Sequence, residues 1–302
     1  MTWIRFRREL QQIVNRRLTI VVAGLLAVAA LAGGCSMTSF GYNVIPTWAM
    51  WQLDSWLHLD DDQRTLARAR VDQLHIWHRT QQLPQYASFF RAVDDKVRTG
   101  MEIDDVARWR RQVVAAWQPF AREAAPAVAE LLLSLKPEQV ERLRTKMADA
   151  NRKWVRENSG SEEKVLAARH KRYAERAEFF FGDLTREQMH ALRGDVAALP
   201  PNDGVMLAER QARQQRLLAL IERLHKERPP PEVARKWSEA YLLTLWDSTD
   251  RGRQAALEQA SQASDALSVT MWSRTSEAQR RHLSGKLREF AEQATVLASA
   301  RQ

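Results

Sequence analysis

Three side chains on one short stretch have the types and spacing of a metal site. Asp72, His75 and His78 lie three residues apart, so on a helix each step turns the next side chain by about 60° and leaves the two imidazoles on one side. Two imidazoles on one side could begin a metal site, with a third ligand from the preceding acidic run Asp60-Asp61-Asp62. The same geometry aligns His78 with Ala67, Val71 and Leu74 on an apolar stripe. A buried, neutral, hydrogen-bonded histidine is the preferred reading there. The other histidines (His58, His170, His190, His225 and His282) are scattered, and no H-E-x-x-H, nucleophile elbow or P-loop occurs. The expectation is no catalytic residue, no cofactor and no metal, with Asp72, His75 and His78 as the only metal candidates.

Cys35 is the single cysteine, which excludes an intramolecular disulfide, a four-cysteine zinc site and a dithiol redox pair. Its neighbours point to other chemistry. Residues 1–17 are arginine-rich, residues 18–32 (LTIVVAGLLAVAALA) are apolar, and Gly33 and Gly34 precede the thiol. A basic start, a short apolar run and small residues make an export signal, and the run is short for a membrane span of about 20 residues. Arg16-Arg17 suggests the twin-arginine route, but Leu18-Thr19-Ile20 fits that motif poorly, so general export is expected. Ala32-Gly33-Gly34-Cys35 resembles the lipobox cut by lipoprotein signal peptidase, with Ala32 where leucine is usual. Small residues there let the chain enter the protease and free the thiol for diacylglyceryl transfer. By likeness to lipoprotein sorting, Ser36 implies the outer membrane. The expected organisation is a lipoprotein signal peptide over 1–34, a lipidated tether over 35–45 and an all-helical domain over 46–302.

The elements that must position these groups are helices throughout. Of the net charge of +9, +4 falls within the first 35 residues, which hold five arginines and one glutamate, and +5 is spread over the rest. The remainder is mildly basic with mixed signs, which gives no concentrated face for nucleic acid. From residue 46 the periodicity predicts helices over 46–57, 60–81, 84–99, 104–134, 137–157, 161–181, 185–198, 203–227, 231–247, 250–271 and 276–298, and no segment alternates like a strand. Pro119 and Pro126 fall inside the 104–134 stretch and predict a kink or a break. Asn158-Ser159-Gly160 is a turn that could divide the domain. Trp48, Trp51 and Trp56 lie within 21 residues of Cys35, where indoles could reach lipid headgroups. Packing is the preferred account for them, as for Trp109, Trp117 and Trp246.

A weak repeat marks helix starts. Leu184-Thr185-Arg186-Glu187-Gln188 has echoes at Leu59–Gln63, Leu135–Gln139 and Thr275–Gln279. Thr185, Asp60 or Ser276 can cap a helix while the glutamine three residues later reaches back, and Leu184 can staple onto Met189. Leu184, Thr185 and Gln188 are therefore expected to act through capping. The spacings between copies (76, 49 and 91 residues) are irregular, so no solenoid is implied.

Two resemblances follow. The L-T-x-x-Q form at 184–188 is similar to the motif of Spy and CpxP type periplasmic chaperones, which implies client binding or stress sensing. A longer likeness runs through Tyr42-Asn43, the tryptophans of 48–56, Leu59 and Gln63, Trp77-His78-Arg79, Leu83-Pro84-x-Tyr86-Ala87 and Gln279–Leu283. That order resembles a family of uncharacterised proteobacterial lipoproteins, which implies location and a helical fold but no reaction. The expected function is a non-catalytic interaction, scaffold or chaperone-like protein on the periplasmic face of the outer membrane. Its partners would be the membrane, through acyl chains, and an envelope protein. A metal-responsive or stress-sensing lipoprotein is the alternative, and a cell-wall-acting enzyme the third reading.

Overall fold

The computed structural model describes residues 41–300. Cys35, the export signal and most of the expected tether lie outside the described residues. Every regular element among them is helical: α1 (Ile45–Leu57), α2 (Asp61–Trp77), a π-helical segment (His78–Gln82), α3 (Leu83–Thr99), α4 (Ile103–Ala115), α5 (Trp117–Ser134), α6 (Pro137–Asn158), α7 (Glu162–Phe181), α8 (Arg186–Ala198), α9 (Asp203–Glu227), α10 (Pro231–Leu243), α11 (Arg251–Ser273) and α12 (Glu277–Ser299). The fold is an all-α helical bundle, and among the described residues no helix is long and apolar enough to cross a membrane.

The chain is shared between two compact units. Unit 1 takes the residues up to His78, then 117–155 and 207–249; unit 2 takes 79–116, 156–206 and 250 onward. Each is assembled from helical hairpins distant in sequence: α1–α2, α5–α6 and α9–α10 in unit 1, and α3–α4, α7–α8 and α11–α12 in unit 2.

The core of unit 1 joins Leu57 and Leu59 to Leu132, Leu135, Leu143, Ile221 and Leu224. Its most extensive helix contact is between α5 and α10, where Ala121, Ala125, Ala129, Ala234 and Ser238 are buried. Small side chains at such a contact let two helices approach closely. The indole N–H of Trp117 donates to the Leu242 carbonyl at 2.8 Å, so the buried ring leaves no polar atom unpaired. In unit 2, α3 and α12 make the most extensive contact, through Val93, Val97, Leu283 and Leu287. A second cluster gathers Ala174, Ala177, Leu192, Val196, Leu267 and Met271 from α7, α8 and α11.

Helix boundaries depart from the sequence pattern in three places. The stretch 104–134 is two helices that meet at Ala116. Pro119 is the third residue of α5, where its missing N–H takes no bond from the helix, and Pro126 is carried inside α5. Pro84 stands near the start of α3 as expected, but no gap opens before it: the π-helical segment joins α2 to α3. A π turn widens the helix just where the proline ring would press on the carbonyl four residues back. α10 stops at Leu243, four residues short, because the Thr244 hydroxyl donates to the Tyr241 carbonyl at 2.7 Å and closes the helix.

Buried charge in unit 2 is paired across helices. Arg110 of α4 donates to Asp265 Oδ2 at 3.0 Å and grips both carboxylate oxygens of Glu258 at 3.0 and 3.1 Å, all on α11. Burial raises the Asp265 carboxyl, and Arg110 opposes that shift. Removing the guanidinium would leave a buried carboxylate without its counter-charge. Arg110→Met should destabilise the chain by about 1–3 kcal/mol in a urea titration, and adding Asp265→Leu should recover part of that loss. An unchanged midpoint in the single variant would show that the pair carries no stability.

Candidate functional site

The four capping glutamines meet in pairs, one pair in each unit. In unit 1 the Gln63 amide donates to Gln139 Oε1 at 2.9 Å, and the Gln139 amide returns a bond to Gln63 Oε1 at 2.7 Å. Gln63 also donates to the Ser134 carbonyl at 2.7 Å, and Gln139 to the His58 carbonyl at 3.0 Å. Each Oε1 meanwhile accepts the backbone N–H three residues earlier, from Asp60 at 3.1 Å and Lys136 at 2.8 Å. Unit 2 repeats the arrangement. Gln188 and Gln279 exchange bonds at 2.9 Å, Gln188 donates to the Arg274 carbonyl at 2.8 Å, and Gln279 to the Asp183 carbonyl at 2.9 Å. Their oxygens accept from the N–H groups of Thr185 and Ser276, each at 3.0 Å. In all four cases the carbonyl used lies five residues before the partner glutamine. Every carboxamide is saturated: two donors given, two lone pairs taken.

The local sequence makes this possible. Asp60, Thr185 and Ser276 accept from the N3 backbone of their own helices and complete capping boxes. Lys136 has no acceptor side chain; its ammonium instead crosses to Asp60 at 3.0 Å. The Gln63 N–H, and then that ammonium, hold the Asp60 carboxyl below its usual range. His58 adopts a left-handed backbone (φ 55°) that ends α1, and its carbonyl is the one that Gln139 takes. Leu184 and Met189 pack against the same apolar cluster.

The two pairs differ in setting. Gln63 and Gln139 are 3% and 5% exposed. The unit 2 pair floors an open cleft of about 820 Å³ lined by Thr185, Glu187, Arg274, Ser276 and His282. Gly182 turns the chain beside it with φ +76°, and the His282 ring lies 3.5 Å from where a Cβ would stand. At the start of α8 the Glu187 carboxyl is held below its usual range by its own backbone N–H and then by the Thr185 hydroxyl. The cleft is lined by hydroxyls, a carboxylate, a guanidinium and an imidazole, but the glutamine amides are committed, the hydroxyls cap α8 and α12, and Arg274 pairs with Asp195.

His75 and His78 are brought together around Tyr42, a residue outside the metal reading. The Tyr42 ring lies 4.5 Å from the His75 ring, and its hydroxyl is 3.0 Å from His78 Nδ1. Tyr42 and His78 are each 1% exposed, His75 is half-buried and Asp72 is exposed. Burial, and then the neighbouring charge of His75, lower the His78 pKa to about 3. Among the described residues no three His, Cys, Asp or Glu side chains are close enough to hold an ion.

Sequence reasoning passed over a second polar cluster. Glu209, 2% exposed, accepts from Arg213 Nε at 3.1 Å, Arg216 Nη2 at 2.9 Å and the Ser248 hydroxyl. The acid and its two arginines stand at i, i+4 and i+7 of α9, a spacing that could have disclosed them. Ser248 donates to a carboxylate that two guanidiniums already engage.

Two measurements follow. Gln63→Leu removes a cap acceptor and strands Gln139 and the Ser134 carbonyl, so a loss of about 2–4 kcal/mol is expected. Gln188→Leu and Thr185→Ala, nearer water, should each lose about 0.5–2 kcal/mol. Equal losses at Gln63 and Gln188 would refute the burial argument. For His78, the folded pKa lies below the unfolded value of about 6.5, so the unfolded chain takes the proton first. Its contribution is therefore complete above pH 6.5 and should fall steadily towards pH 3. Urea titrations across that range should show the slope flattened in His78→Gln; the same slope in both chains would reject the assignment.

No curated protein and no solved structure matches the chain. A family of unknown function matches residues 55–238, from within α1 to within α10. That region holds the whole unit 1 glutamine pair and the Gln188 half of the other. It also holds the Trp77-His78-Arg79 and Leu83-Pro84-x-Tyr86 segments of the longer resemblance, whose first part (Tyr42-Asn43, Trp48 and Trp51) and last part (Gln279–Leu283) lie outside it. The chain belongs to the family of unknown function DUF6279.

Proposed function

We propose that the chain is a lipoprotein, acylated at Cys35 and held at the periplasmic face of the outer membrane, whose helical body is a non-catalytic docking scaffold. The observation that carries the reading is the order of a basic segment, a fifteen-residue apolar run, Gly33-Gly34 and then the sole cysteine. The burial of Tyr42, seven residues later, supports it. A folded body that begins so soon after the thiol suits a short leash, at most about 25 Å when fully extended.

A scaffold is favoured over an enzyme because the chemically capable groups are engaged with one another. The glutamines are saturated, Glu209 is held by arginines, and the His78 ring faces a tyrosine hydroxyl. The similarity of residues 184–188 to the L-T-x-x-Q chaperones enters at the unit 2 cleft, the surface where an envelope client would be taken.

The test is metabolic labelling with a fatty-acid analogue in cells that make the full chain, followed by membrane fractionation. The wild-type chain should carry label and sediment with outer membranes. Cys35→Ser should lose all label and leave that fraction. Unchanged labelling of the variant would end the lipoprotein reading.

A further inference from the structure

A groove on unit 1 has the composition of a surface that meets lipid headgroups. It is formed between α1 and α2, has a volume of about 580 Å³, and is lined by Met50, Trp51 and Asp54 from α1 and by Arg64, Arg68 and Ala69 from α2. Trp51 is 48% exposed, the only described tryptophan among the large hydrophobic side chains left open to water. Its neighbours are not equivalent to it. Trp56 packs against the core of unit 1, and Trp48 is half-buried, so the sequence cluster of three indoles is reduced to one that faces outward.

Charge around that indole is uneven. Arg64 pairs with Asp54 at 3.1 Å. Arg68 is exposed and has no carboxylate partner among the described residues. An indole beside a guanidinium matches the headgroup layer, where the ring sits between hydrocarbon and water and the guanidinium forks onto a phosphate.

The length of chain before the fold decides between occupants. Tyr42 is a fixed point, buried against His75 and His78. Seven residues separate it from Cys35, a reach of at most about 25 Å. Trp51 stands six residues into α1, a rise of about 9 Å. A body leashed this closely keeps α1 beside the bilayer continuously, whereas a second copy of the chain would have to arrive by diffusion.

We propose that the groove around Trp51 is a foot that seats on the phospholipid headgroup layer beside the acyl anchor, with Arg68 taking a lipid phosphate. The inference rests on the lipoprotein reading of Cys35. It adds that unit 1 lies against the membrane by a defined face instead of hanging free.

The acylated full chain can test this directly, because acylated Cys35 leaves no other thiol. Trp51→Cys would carry an environment-sensitive fluorophore in vesicles of phosphatidylethanolamine and phosphatidylglycerol that contain a headgroup nitroxide lipid. Circular dichroism and mass spectrometry would establish folding and acylation. Quenching should be at least threefold stronger at this position than at Val155→Cys, an exposed site on α6 of the same unit. Arg68→Glu, an exposed change that the fold tolerates, should reduce it at least twofold. Equal quenching at both positions on an acylated chain would overturn the foot and leave the anchor standing. A fluorescence shift that grows with protein density without quenching would overturn it in favour of self-association. A chain without the acyl mass would overturn both readings.

Discussion

The reciprocal glutamine pair is the constraint on which each unit is organised. A helix begins with orphan N–H groups, and a buried helix start must satisfy them from somewhere. Here each glutamine uses its oxygen for its own helix and its nitrogen for its neighbour's, so that two helix starts solve one problem jointly. No other side chain does this at the same length. Glutamate would bring two acceptors and no donor, and leucine neither. The bonds also fix register, since each amide must find the carbonyl five residues before its partner, and a slide of one residue would break several bonds together. The leucine ahead of three of the four caps then has one place to go, and Leu59 and Leu135 enter the same core.

What could be read in advance follows from the range of each interaction. The helices and the glutamine caps are local, written within four or five residues, and the sequence displays them at Asp60–Gln63, Thr185–Gln188 and Ser276–Gln279. The pairing is not local. Gln63 and Gln139 are 76 residues apart and Gln188 and Gln279 are 91, and nothing within a window of ten residues says which copy meets which. The same limit hid Tyr42, whose phenol lies against imidazoles more than thirty residues away. Helix junctions differed in detail for another reason. Pro84 does stand near the start of α3, yet a π turn fills the gap before it, and the break expected inside 104–134 falls at Ala116, before either proline. Steric rules say what a proline forbids; they leave open which of several relaxations the surrounding packing selects.

The interleaving of the units gives the pairing a further consequence. Because unit 1 draws on three separated stretches and unit 2 on three others, no single cut in the chain yields a whole unit. Contacts between distant hairpins must therefore form before either core closes, and loop closure over some 75–90 residues is entropically costly. A polar contact of defined register between two of the three hairpin tips in each unit specifies that those two belong together, where apolar surface alone would tolerate several pairings. Alanine-rich contacts such as α5 with α10 depend on that choice, since small side chains fit closely in few arrangements.

The same device in two settings does not have the same worth. Shielded from water, the unit 1 bonds cannot be exchanged for solvent, and opening them would leave four amide bonds unmade in a poorly solvated place. At the floor of the unit 2 cleft Gln279 is buried too, at 8% exposed, but Gln188 is only half-buried, so water can replace the bonds on the Gln188 side as they break and the net cost of opening is lower. Regions where opening is inexpensive are where proteins place surfaces that must admit a partner. The difference between two otherwise matching pairs thus comes down to Gln188, the one glutamine of the four that is not buried, and its side of the junction is where opening costs least.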